Sequence, residues 1–104
     1  MEITTQDLKE KISNGEQILV DFYAQWCGPC KVMKPMFEEA SNILLESNEL
    51  TKLFTYNIES DKEYAMSLGI RSIPTIKGFK NGKEVFTNIG LSKKDQIIQI
   101  AKEL

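Results

Sequence analysis

Histidine is absent from this 104-residue chain, and cysteine occurs only twice. A structural zinc site takes four protein ligands, so one copy of the chain, with two thiolates and no imidazole, cannot close one. Only a dimer could. The cysteines also make a poor disulfide scaffold, because a bridge between positions 27 and 30 closes too small a loop to restrain the unfolded chain much. No apolar run approaches the ~18 residues of a membrane span. No charged-then-apolar leader opens the chain, since Met1-Glu2-Ile3-Thr4 runs straight into a polar helical pattern. A surplus of one charge is missing too: 13 Lys and Arg stand against 15 Asp and Glu. There is no broad basic field to attract nucleic acid or an anionic membrane. These absences leave a soluble protein expected in a reducing cytoplasm, where paired cysteines are usually catalytic or redox-sensing. The chain is expected to be a monomer.

With 41% apolar and 27% charged residues, the chain fits one domain, residues 1–104, large enough for a hydrophobic core and too small for two. Glu2-Ile3 predicts a short edge strand. Thr4 with Asp7 caps a helix carrying Leu8 and Ile12, and Asn14-Gly15 stops it. Ile18 to Ala24 is an apolar, strand-forming run with one acid, Asp21, as expected of a central parallel strand covered on both faces. Met33, Phe37, Ala40 and Leu44 recur at helical spacing to about Ser47, with Pro35 expected to kink that helix. Leu53 to Ile58 alternates as a strand, and Glu59 to Leu68 predicts a short helix stopped by Gly69. Thr75 to Phe79 and Glu84 to Ile89 flank Asn81-Gly82 as an antiparallel hairpin. Ser92 with Asp95 caps a last helix that turns Ile97, Ile98, Ala101 and Leu104 inward. The order is β-α-β-α-β-α-β-β-α, an α/β fold whose sheet is mixed and carries helices on both faces.

The chemistry concentrates in Trp26-Cys27-Gly28-Pro29-Cys30-Lys31. Cysteines at i and i+3 share one side of a first helical turn, close enough to bond to each other. A helix starting here aims its unpaired N–H groups and the positive end of its dipole at Cys27, which favours thiolate over thiol. Cys27 is thus the expected nucleophile. Gly28 permits a tight bend beside the sulfur, and the fixed φ of Pro29 suits a first turn. Asp21 is expensive to bury ionised, so its pKa is expected to be raised and its proton to be available near neutrality. Met33 and Met36 read as core filling.

Those residues resemble the active-site motif of the thioredoxin family. Val20-Asp21-Phe22-Tyr23-Ala24 is similar to the family's central strand with its buried acid, Ile73-Pro74-Thr75 to its cis-proline loop, and Phe79-Lys80-Asn81-Gly82 to its hairpin turn. Gly90 is similar to a glycine beside the family's substrate groove. Covering nearly the whole chain, the resemblance implies the thioredoxin fold and a thiol–disulfide oxidoreductase that reduces disulfides in other proteins. It implies that Cys27, on an exposed lip, attacks a protein disulfide. Cys30, one turn deeper, then resolves the mixed disulfide, with Asp21 taking the Cys30 proton. It implies that the backbone of Ile73, before cis Pro74, pairs with an extended substrate segment, within an apolar rim of Trp26, Gly28, Pro29, Ile58, Ile73, Ile89, Gly90 and Leu91. No bound cofactor is implied: the redox group is the Cys27–Cys30 disulfide, and NADPH serves only indirectly, through a thioredoxin reductase.

Three positions depart from the family pattern. Thr55 stands where many members carry a lysine facing the buried acid, Ser72 where glycine is frequent, and Tyr23 where tryptophan is. The alternatives are a disulfide oxidase or isomerase on the same fold, and a thioredoxin-like interaction subunit with spectator cysteines. Gly28-Pro29 argues against the oxidase, because the more oxidising relatives place a histidine between the cysteines.

Overall fold

Side chains alternate across a strand, so β1 (Ile18–Tyr23) divides itself between two layers. Ile18, Val20 and Phe22 point to one face of the sheet, Leu19 and Asp21 to the other. The computed structural model describes residues 1–104 and surrounds β1 with α1 (Thr5–Ser13), α2 (Gly28–Glu46), β2 (Lys52–Asn57), α3 (Lys62–Ser67), β3 (Thr75–Lys80), β4 (Lys83–Ile89) and α4 (Lys94–Glu103). The sheet order is β2-β1-β3-β4, with β1 parallel to β2 and antiparallel to β3, and β3 antiparallel to β4. This is the expected mixed sheet with helices on both faces.

On the first face Ile18, Val20 and Phe22 pack with Tyr56 and Phe79, under Leu8 of α1 and Ala65 of α3. On the second, Leu19, Leu53 and Ile76 meet Met33, Phe37, Ala40 and Leu44 of α2 and Ile97 and Ala101 of α4. The helical spacing of the α2 residues is what turns all four toward one sheet. Truncating a core residue such as Phe37 to Ala removes about 3–5 kcal/mol. The β3–β4 connection is the two-residue turn expected, with Asn81 at φ 56° and Gly82 at φ 82°, the left-handed pair that a twisted hairpin needs.

Three local expectations are corrected. The N-terminal strand shrinks to one parallel bridge between Glu2 and Thr55. Ile3 N–H reaches the Thr55 carbonyl and Thr55 N–H the Met1 carbonyl, but Thr4 then caps α1, so no second ladder pair forms and the element order begins with a helix. The helix predicted over 59–68 is divided into a 3-10 turn, Ile58–Ser60, and α3. Asp61 causes the division: its carboxylate accepts the Tyr64 N–H at 3.0 Å and starts a new helix. Ser92 does not cap α4. The N-cap position is Lys93, whose N–H donates to Gln96 Oε1 at 2.9 Å, while buried Ser92 accepts from Asn88 Nδ2 and directs its N–H to Met33 Sδ. Pro35 lies inside α2, which continues on both sides of it.

Candidate active site

After β1 the chain turns within four residues, the Cys27 N–H donating to the Ala24 carbonyl at 3.2 Å, and α2 begins at Gly28. Cys27 is the N-cap of that helix, in extended backbone, with Pro29 in the first turn. Its sulfur does what a capping oxygen does elsewhere, accepting the Cys30 N–H at 3.3 Å. Negative charge on this sulfur therefore faces an unpaired helix donor and the positive end of the dipole together. Cys27 and Cys30 are joined in a disulfide with Cα atoms 5.3 Å apart.

The exposed lip expected for Cys27 needs correction: the residue is only 5% exposed and Cys30 2%. The reason is packing from three sides. Ala24 and the two cysteines form a small cluster covered by Tyr23, Ile58 and Ile73, and the Ile73 carbonyl lies 3.8 Å from Cys27 Sγ. The Ile73–Pro74 peptide bond is cis. Pro74 is buried, and its carbonyl accepts the Gly90 N–H at 2.8 Å. Gly90 has φ +100°, a conformation that favours glycine, so the two loops are tied beside the sulfurs.

The rest of the predicted rim separates into parts. Ile58 and Ile73 pack on the cysteines. Gly28, Pro29 and Trp26 are exposed around them, Trp26 at 67%, and Trp26 shares with Ile58 a cavity of about 220 Å³. Ile89 and Leu91 flank Gly90, exposed, outside the cluster packed on the sulfurs.

Asp21 lies on the face covered by α2, 1% exposed, and its Oδ1 has no hydrogen-bond partner. Burial raises its pKa to about 7, and the charge of Lys34 on α2 pulls the other way. Lys34 also lines a cleft of about 180 Å³ with Tyr23, Gln25 and Cys30, and its ammonium sits 5.9 Å from the Tyr23 ring. Opposite Asp21 in the β1–β2 register is Thr55, whose hydroxyl donates to Glu2 Oε1 at 3.2 Å. The Tyr23 hydroxyl donates to the same oxygen. The sequence marks neither Lys34 nor Glu2 as a site residue. Lys34 had a signal, standing four residues past Cys30 and hence on the same helix face. Glu2 had none, since its neighbours come from distant strands.

No three side chains able to hold a metal ion stand together, and no helix is long and apolar enough to cross a membrane.

The thioredoxin family model matches residues 1–103. Among curated relatives, thioredoxin of Rickettsia felis is 41% identical over 86% of this chain and 83% of its own length. Thioredoxin of Chlamydia muridarum is 36% identical over 96% and 94%. A solved structure of Plasmodium falciparum thioredoxin superposes with a TM-score of 0.82 at 30% identity, covering 96% of this chain and 93% of that one. With a helix-capping Cys27 bonded to Cys30 over this sheet, the chain belongs to the thioredoxin family.

Proposed function

We propose that residues 1–104 act as one redox unit that reduces disulfides in other proteins, with Cys27 as nucleophile and Cys30 as resolving thiol. The observation that carries this reading is the Cys30 N–H directed at Cys27 Sγ from the first turn of α2. In the reduced protein the Cys27 thiolate attacks one sulfur of the target disulfide, and the second target sulfur leaves with the electron pair. Cys30 gives its proton to Asp21, and its thiolate attacks Cys27. The Cys27–Cys30 bond forms, the bond from Cys27 to the target breaks, and the target departs as a dithiol after protonation. Two electrons have passed from the pair to the target.

Asp21 suits the base role because its carboxyl changes charge near pH 7, where a general base is most effective. Ile73, before cis Pro74, offers its backbone beside Cys27 for an extended target segment, and Trp26, Gly28, Pro29, Ile58, Ile89, Gly90 and Leu91 supply the apolar rim. Re-reduction of the pair falls to a thioredoxin reductase drawing on NADPH, in a reducing cytoplasm, with the chain as a monomer that binds no cofactor itself. The test is insulin reduction by a defined reductant with catalytic amounts of the chain. Wild type accelerates it and Cys27→Ser does not; equal rates for the two would overturn the reading.

A further inference from the structure

The register of the sheet sets two side chains in a row with the proposed base. Asp21 stands opposite Thr55, and Thr55 opposite Glu2. All three belong to the face covered by α2, one strand spacing of ~4.8 Å apart, so the row places the Glu2 carboxylate roughly 10 Å from Asp21. Glu2 is held there. Its Oε1 accepts from Thr55 Oγ1 and from the Tyr23 hydroxyl, which fixes a long acidic side chain at the mouth of a cleft of about 340 Å³. Lys34 lines the same cleft from α2 and forms no ion pair of its own within 4 Å, the ion pairs of the chain being Lys11–Glu16, Lys77–Glu84 and Lys94–Glu39. The buried Oδ1 of Asp21 is likewise unpaired. A free cation thus stands among carboxylates from two elements, the buried one and the clasped one.

We propose that Glu2 is a positioning residue for the proton step at Asp21: clasped by Tyr23 and Thr55, it sets a fixed negative charge against the positive charge of Lys34. The balance of the two decides the pH at which Asp21 can accept the Cys30 proton. The other titratable groups lining the cleft with Glu2 and Lys34 are Glu38 on α2 and the Met1 amino group; Tyr23 stands two residues beyond Asp21 on its own strand, Cys30 lines the neighbouring cleft with Tyr23 and Lys34, and β2 and β3 pair Asp21 with the uncharged Thr55 and Ile76. Glu2 forms and breaks no covalent bond in the cycle and acts only through its field. At roughly 10 Å, between water-like and protein-like screening, one charge moves a neighbouring titration by about 0.3–1.2 pH units.

The inference rests on Asp21 being the acceptor, and one experiment separates the two claims. The reduced chain is mixed with 5,5′-dithiobis(2-nitrobenzoate), which places a nitrothiobenzoate on Cys27; its release by Cys30 is followed in a stopped-flow instrument from pH 5 to 9. In Glu2→Gln the acid limb of the resolution rate moves down by about half a pH unit, because Lys34 is no longer opposed. In Lys34→Gln it moves up, and Glu2→Asp stays near wild type. An unmoved or raised midpoint in Glu2→Gln, with the limb lost in Asp21→Asn, overturns the role of Glu2 alone. A limb that survives in Asp21→Asn overturns the base and this inference with it.

Discussion

Two charged residues are buried on neighbouring central strands, and they are treated in opposite ways. Lys77 on β3 is 5% exposed, but its ammonium meets Glu84 Oε1 at 2.8 Å and Thr87 Oγ1 at 3.1 Å across the hairpin. Burial raises Glu84, yet the hydrogen bonds from Lys77 and Thr87 and the charge of Lys77 together leave it below the ordinary carboxylate range. Asp21, paired in register with the residue just before Lys77, faces the other layer with one oxygen unpartnered. Satisfied charge holds the hairpin together; unsatisfied charge is left ready to take a proton.

The largest effect that could break this contrast is at the sulfurs. Cys27→Ser abolishes disulfide reduction, and Cys30→Ser accumulates a mixed disulfide visible by mass spectrometry; a mixed disulfide trapped by Cys27→Ser instead would reverse the two roles. Next is Asp21→Asn. The folded-state pKa of about 7 lies above the ordinary 3.8, so the native state binds more protons between those values. Stability therefore falls as pH rises through that window, and the cost is fully present above it. Denaturant melts should show Asn gaining up to about 4 kcal/mol at pH 8 and almost nothing at pH 3, an upper figure from the shift. The same variant slows mixed-disulfide resolution at least about tenfold near neutrality. Lys77→Met has the opposite signature: about 1–2 kcal/mol of stability lost with the hydrogen bonds to Glu84 and Thr87, and resolution unchanged in the same stopped-flow assay. The smallest effect belongs to the rim. Leu91→Asp raises KM for a protein disulfide about threefold, of the order of one weakened apolar contact, while the rate with a small aromatic disulfide stays level.

Much of the site was legible because it is local. The helix start at Cys27 follows from Gly28, Pro29 and the apolar spacing of α2, all within one stretch of chain. The burial of Asp21 follows from the unbroken apolar run around it. The rest depends on long-range packing that no short pattern carries. Cys27 is covered because Ile73, 46 residues on, brings its carbonyl beside the sulfur. Ser92 looked like a cap, but Asn88 and Met33 claim its hydroxyl and N–H, leaving Lys93 to begin α4. Asp61 outcompeted helix propensity by capping three residues downstream. The uncharged Thr55 opposite Asp21 was visible in the letters; the clasp of Glu2 by Thr55 and Tyr23 needed the fold.

The most direct test of the account is the pH dependence of alkylation of the reduced protein, following Cys27 by mass spectrometry. A sulfur held at the first turn of α2 should react with an apparent pKa well below the ~8.5 of free cysteine. A value at or above that of free cysteine would contradict the claim that the helix start makes Cys27 the attacking thiolate.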